Sequence, residues 1–132
     1  MDMERRIIDP WTWQDEYGFH QGHEVVNPTR TLYLSGQTSL DADGNPVHVG
    51  DMAGQIRQAV DNIEAVLAEA GMSLADIVRI NIFTTDMDLF FEHADELERL
   101  REAGTRYAST LVGVTRLAFP EFLVEIEATA AK

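Results

Sequence analysis

Hydrophobic residues recur along this chain with two periods, one of two residues and one of three to four, and their order predicts its elements. Residues 5–9 make a short extended segment that Pro10 stops. Phe19-His-Gln-Gly-His-Glu-Val-Val26 and Arg30-Thr-Leu-Tyr-Leu-Ser35 read as two strands, and the Asn27-Pro-Thr29 turn between them predicts an antiparallel hairpin. After the turn-rich segment 41–46, Met52, Ile56, Ala59, Val60, Ile63, Val66, Leu67 and Ala70 form the apolar stripe of a helix over 52–70, which Gly71 stops. Val78, Ile80 and Ile82 alternate with Arg79 and Asn81 in a strand over 77–83. Thr85 or Asp86 caps a second helix over 87–103, with Phe90, Ala94, Leu97 and Leu100 or Arg101 on its inner side. Two closing strands follow, and the last turns Val124, Ile126 and Ala128 one way and Leu123, Glu125 and Glu127 the other.

This order predicts an α+β domain over residues 1–132, a mixed sheet with two helices packed on one face. Two helices cover one side of five or six strands. The other side is expected to carry Tyr33, Leu111, Leu123 and Phe83, a set too apolar to leave wet, which predicts burial against further copies of the chain. The last strand therefore poses the functional question. Glu125 is a solvated charge if its face is open and a candidate for chemistry if that face is covered.

Charge and composition narrow the classes. A net charge of −13 with ten basic residues argues against nucleic acid as a partner, because binding to phosphates depends on Lys and Arg releasing counterions. The acidic excess serves solubility, and much of it lies on the second helix, where Asp95, Glu98 and Glu102 mix with Arg99 and Arg101. The absence of cysteine removes thiol nucleophiles, disulfides and zinc-thiolate sites and fits a reducing compartment. No apolar run matches a membrane span and no signal-type core follows the start, so the expectation is a cytoplasmic chain with no membrane contact.

Walker, Rossmann, Gly-x-Ser-x-Gly and His-Glu-x-x-His signatures are absent. His20 and His23 point to opposite faces of a strand, with His48 in a loop and His93 on a helix, so no metal is expected. Trp11 and Trp13 either line a pocket or cover a sheet edge. Ser35-Gly-Gln-Thr38 ends a strand on a glycine that admits a close backbone approach.

Several segments together resemble the RidA family, also called YjgF, YER057c or UK114: Leu32-Tyr-Leu-Ser-Gly-Gln37, Gly50-Asp-Met-Ala-Gly-Gln-Ile56, Asn62-Ile-Glu-Ala-Val-Leu67, Ala70-Gly-Met-Ser-Leu-Ala-Asp-Ile-Val78, Phe83-Thr-Thr-Asp-Met87 and Val124-Glu-Ile-Glu-Ala128. The resemblance implies a chorismate-mutase-like fold and a homotrimer with a central barrel and clefts between subunits. It also implies hydrolysis of reactive enamines and imines to a carbonyl compound and ammonia, without cofactor or metal. The family's site has a water-handling glutamate, a strand-end glycine, a carboxylate-clamping arginine, an asparagine and a tyrosine. The first two fall on Glu125 and Gly36. The other three fall on Ser109, Ala94 and Phe19, so this chain departs from the pattern where the family holds its substrate.

A serine cannot replace the bidentate contact between arginine and a carboxylate, which is worth on the order of several kcal/mol when desolvated. Either the substrate lacks that carboxylate, or Arg106 or Arg116 reaches in, or the reaction has changed. Strand alternation turns Arg116 away from the face expected to hold Ser109, Leu111 and Glu125. The expected site is thus catalytic Glu125, with Gly36, Ser109, Thr110, Phe19, Tyr33, Leu111 and Arg106 around a small-molecule substrate. Two alternatives stand beside this reading. One is a metabolite-binding or interaction trimer, and the other is a pathway enzyme working by cyclisation or tautomerisation.

Overall fold

A computed structural model of the chain describes residues 2–132. In chain order its main elements are β1 (Glu4–Ile8), β2 (Gly22–Val26), β3 (Thr31–Gln37), α1 (Met52–Glu69), β4 (Ile77–Thr84), α2 (Met87–Glu92), α3 (Glu98–Glu102), β5 (Ala108–Gly113) and β6 (Val124–Ala131). The fold is α+β, as the hydrophobic pattern predicts. Four strands stand in the order β3, β6, β4, β5, and β1 and β2 pair separately.

Two pairings differ from the sequence expectation. β2 and β3 do not form a hairpin: β2 runs antiparallel to β1, and β3 runs antiparallel to β6. Asn27 takes a left-handed conformation (φ 55°), and the backbone amides of Thr29 and Arg30 both donate to the carbonyl of Lys132, so the chain leaves β2 for the far edge. A turn signal of this kind specifies a change of direction, not the partner of the next strand. The closing strands are not neighbours either. β4 lies between them, parallel to β5 and antiparallel to β6. A parallel pair needs a crossover, and the helical segment between β4 and β5 supplies it.

α1 begins where Asp51 accepts a hydrogen bond from the Gly54 amide (2.9 Å). Its stripe of Met52, Ile56, Ala59, Val60, Ile63 and Leu67 is buried against Ile77, Ile80, Ile82, Val124, Ile126 and Ala130. Each fully buried Ile, Leu, Val or Met side chain there contributes roughly 1.5–3 kcal/mol. Ile77, not Val78, takes the core position, because the β4–β6 register shifts between Ile77 and Arg79.

The second helix is capped by Asp86, whose side chain accepts from the Leu89 amide (3.0 Å), but it breaks into α2, a 3₁₀ turn over Ala94–Leu97, and α3. With three residues per turn, the 3₁₀ stretch aligns Ala94, Leu97 and Leu100. Leu100 is accordingly buried and Arg101 is turned to the rim.

One polar side chain ties these layers together. Gln55 of α1 is buried, donates through Nε2 to the carbonyls of Glu121 (2.9 Å) and His48 (3.2 Å), and accepts through Oε1 from the Leu123 amide (2.8 Å). Thr84 Oγ1 donates to the Leu123 carbonyl (2.8 Å), so both backbone groups just ahead of β6 are fixed. Replacing Gln55 by Leu keeps the volume but leaves those partners unsatisfied, at about 1–3 kcal/mol. Urea unfolding of Gln55→Leu should show the midpoint lowered accordingly with an unchanged slope.

Candidate functional site

The alternation of β6 sorts its side chains between two environments. Val124, Ile126, Ala128 and Ala130 are buried under α1, and Glu125, Glu127 and Thr129 project from the opposite face. Cross-strand register places Glu125 opposite Phe83, Glu127 opposite Asn81, and Thr129 opposite Arg79 and Tyr33. Thr110 is on this face as well, opposite Asn81 and accepting from Arg79 (2.9 Å). The open face is therefore more polar than the sequence reading predicts. Tyr33 is strongly exposed there, whereas Leu111 and Leu123 pack against the helical core.

Glu125 has a specific neighbour. Between Leu34, opposite Ala128, and Gln37, opposite Ile126, strand β3 carries Ser35 and Gly36 against the single residue Glu127. This bulge brings the Gly36 backbone against the Glu125 side chain. A Cβ on Gly36 would lie 2.6 Å from Glu125 Cδ and 2.8 Å from Oε2. Gly36 does not have positive φ, so what distinguishes the glycine is this close approach to the Glu125 carboxyl and not its backbone conformation.

Burial, and then the charge of Glu127, hold the Glu125 carboxyl above its ordinary pKa. Asn81 Nδ2 donates to Glu127 (3.0 Å), which anchors that second carboxylate. The Asn81 Oδ1 is buried without a hydrogen-bond partner among the described residues.

On the helical face, a cavity of about 850 Å³ opens between β4, β5, the segment over 87–101 and the turn at Trp13–Tyr17. Ser109 and Leu111 line it, because β5 pairs them with Ile80 and Ile82 on the core side. Phe19 and Trp13 close it with an edge-on contact at 5.8 Å between ring centroids. Trp11 is exposed and does not reach the cavity, so the two indoles do not act together.

The predicted site residues thus divide between the two faces. Glu125, Gly36, Tyr33 and Thr110 belong to the open side, and Ser109, Leu111 and Phe19 belong to the cavity. The expectation that Ser109 and Leu111 share a face with Glu125 is wrong, because β4 intervenes and its register sets the parity. Arg106 lies outside both groups: its carbonyl accepts from His23 Nδ1 and its side chain does not line the cavity. Arg116 is exposed and donates to its neighbour's carbonyl (3.3 Å).

The sequence reading missed Arg101, Tyr107, Asp95 and Glu98 at this cavity. Tyr107 stands two residues before Ser109 on the same face, so alternation alone could have found it. The Arg101 guanidinium is paired with Glu98 (2.8 Å). Burial, and then Glu98, raise the Tyr107 pKa and keep its phenol protonated at neutral pH. His20 Nδ1 meets Asp9 (2.7 Å) away from this lining, and among the described residues no three His, Asp or Glu side chains gather as a metal site.

The Gly36 contact yields a direct test. Gly36→Ala should displace the Glu125 carboxylate and cost about 1 kcal/mol of stability through overpacking. Paired with Glu125→Ala the same substitution should cost almost nothing, as a double-mutant cycle of unfolding free energies would show.

The family model described as Endoribonuclease L-PSP matches residues 19–132. The chain is 32% identical over 125 residues to the RutC family protein YjgH of Escherichia coli K12, covering 94% of each. It is 30% identical over 117 residues to a protein of Dermatophagoides farinae named 2-iminobutanoate/2-iminopropanoate deaminase, covering 89% of this chain and 88% of that one. The crystal structure of YyfB from Yersinia pestis, a conserved Rid family protein of unknown function, superposes with a TM-score of 0.88 at 32% identity, over 97% of this chain and 98% of that one. Similarity of this extent, with the fold in agreement, places the protein: it belongs to the Rid family of YjgF-like proteins.

Proposed function

We propose that this protein hydrolyses a reactive imine or enamine to a carbonyl compound and ammonia, in clefts completed between copies of the chain. The observation that carries this reading is the half-buried Glu125 carboxyl, held against the Gly36 backbone with its proton affinity raised. A carboxyl whose proton affinity is raised in this way is a better base than a solvated one. The deaminase name of the Dermatophagoides farinae relative supports the same chemistry. The endoribonuclease description draws no support from a chain of net charge −13.

The step balances on one carboxylate. Glu125 takes a proton from water as the oxygen forms its bond to the imine carbon, the carbon–nitrogen π pair moves to nitrogen, and Glu125 hands that proton to the nitrogen. The carbinolamine then collapses: Glu125 takes the hydroxyl proton as the carbonyl forms and the carbon–nitrogen bond breaks, and passes it to the departing nitrogen, which leaves as ammonia. Water is the sole co-reactant, and Glu125 ends ionised as it began.

Glu125 and the cavity are on opposite faces of one sheet, so a single chain does not present both to one small molecule. In the proposed trimer, the carboxylate and Gly36 of one subunit face the cavity of the next. The unpartnered Asn81 Oδ1 and the exposed Tyr33 beside it would be covered in the same assembly.

Imines generated in place by an amine or amino-acid oxidase, with ammonia and carbonyl release followed, provide the assay. Wild type should accelerate release over buffer, and Glu125→Gln should lose about 10²–10⁴-fold. Because the base must be ionised, the rate should fall as pH drops through an apparent pKa above that of an ordinary glutamate, and Glu125→Gln should abolish this limb. Equal rates for wild type, Glu125→Gln and buffer would remove the hydrolase reading and leave a binding trimer.

Shared clefts make a separate prediction. Glu125→Gln and the cavity-filling Ala94→Trp should each be inactive alone. Co-refolded in equal amounts, they should recover about a quarter of the wild-type rate, because random mixing restores that share of clefts. No recovery would remove the shared cleft and separate the cavity from the chemistry of Glu125.

A further inference from the structure

The cavity that receives the substrate in this reading has a composition that selects among imines. Its walls are apolar: Phe19, Ile82, Phe90, Ala94, Leu97 and Leu111 surround it, with Trp13 edge-on to Phe19. Its rim carries three carboxylates, Glu16, Asp95 and Glu98, against one guanidinium, Arg101. That guanidinium is already paired with Glu98, and Ser109 and the Tyr107 phenol bring no charge at neutral pH. A carboxylated imine would thus leave its charge beside a cavity rim that is net negative and whose one guanidinium, among the described residues of that subunit, is already paired. A protonated imine attached to an aromatic or alkyl body meets the reverse conditions. The body fills the apolar walls, the iminium faces the carboxylates, and the Trp13 and Phe19 rings are able to stack against a cation.

We infer that, as the imine hydrolase proposed above, this protein acts on uncarboxylated imines with an aromatic or bulky apolar body, such as those formed by oxidation of primary amines, and discriminates against the imines of α-amino acids. The volume of about 850 Å³ is ample for a phenyl ring with a short chain, within the range of small-molecule pockets. The class of reaction that supplies this substrate is then oxidation of a primary amine, and the product is an aldehyde or ketone.

A matched pair isolates the carboxylate. The imine from 2-phenylethylamine, made with an amine oxidase, and the imine from phenylalanine, made with an amino-acid oxidase, share the aryl body and differ in the carboxyl group. Wild type should hydrolyse the first at least roughly tenfold faster relative to each spontaneous rate, with the ratio falling as salt is added. Asp95→Asn with Glu98→Gln should shrink the ratio, and Ser109→Arg should reverse it.

Binding is measured separately by calorimetry, with 2-phenylethylammonium and 3-phenylpropionate as probes, and the ammonium should bind at least roughly tenfold more tightly. Preferential ammonium binding without hydrolysis of either imine would remove the catalytic reading while supporting the pocket's selectivity. Equal or faster hydrolysis of the phenylalanine imine would overturn the substrate class and leave the hydrolase reading intact. Loss of that hydrolysis in Arg101→Ala would then identify Arg101 as the carboxylate clamp.

Discussion

The structure depends on the insertion of β6 between β3 and β4. It is the last strand in the chain and lies in the interior of the four-stranded sheet, antiparallel to both neighbours. One face of it is closed by α1, so Val124, Ile126 and Ala130 must be apolar, and the period of two then commits Glu125 and Glu127 to the other side. A slip of one residue would bury two carboxylates in the core. Burial of the aliphatic face therefore fixes the position of Glu125, and the hydrogen bonds that Gln55 and Thr84 make to Leu123 hold the point of entry.

From that placement the chemistry follows in small steps. The β3 bulge turns the Gly36 backbone against the Glu125 side chain, so close that a Cβ there would push the carboxyl aside. Burial acts on that carboxyl, and Glu127, two residues further along the same face, adds its charge. Both effects act in one direction, toward a stronger base. None of this involves the cavity on the helical side, whose walls come from β4, β5, the broken second helix and the Trp13–Phe19 segment. The Glu125 carboxyl and the cavity are therefore separate parts of the fold, and the sheet divides them.

That separation shows where local sequence reasoning stops. The periods of α1, β4 and β6 were readable because each is set by one face meeting the core, and the Asp51 and Asp86 caps lie at helix starts that composition marks. Strand partnership is different in kind. Asn27-Pro-Thr29 has the form of a turn whether the chain returns beside β2 or crosses to the C-terminus, and the contact with Lys132 that decides the matter is distant in sequence. The same limit misplaced Ser109. Its alternation with Leu111 was correct, but the sequence does not say that β4 would stand between β5 and β6.

The α+β class, the family and the buried stripe of α1, apart from the exposed Val66, are legible in the sequence, while Glu125, Gly36 and Ser109 as positions of the family's pattern are what the resemblance implies. These are properties of composition, spacing and motif, which are local. Only the tertiary structure decided which strands pair, that Leu111 and Leu123 pack on the core while Arg79, Asn81 and Thr110 make the open face polar, and that Arg101 sits at the cavity rim with its charge paired to Glu98. Each of these depends on register between distant segments, where a shift of one residue exchanges one face of a strand for the other.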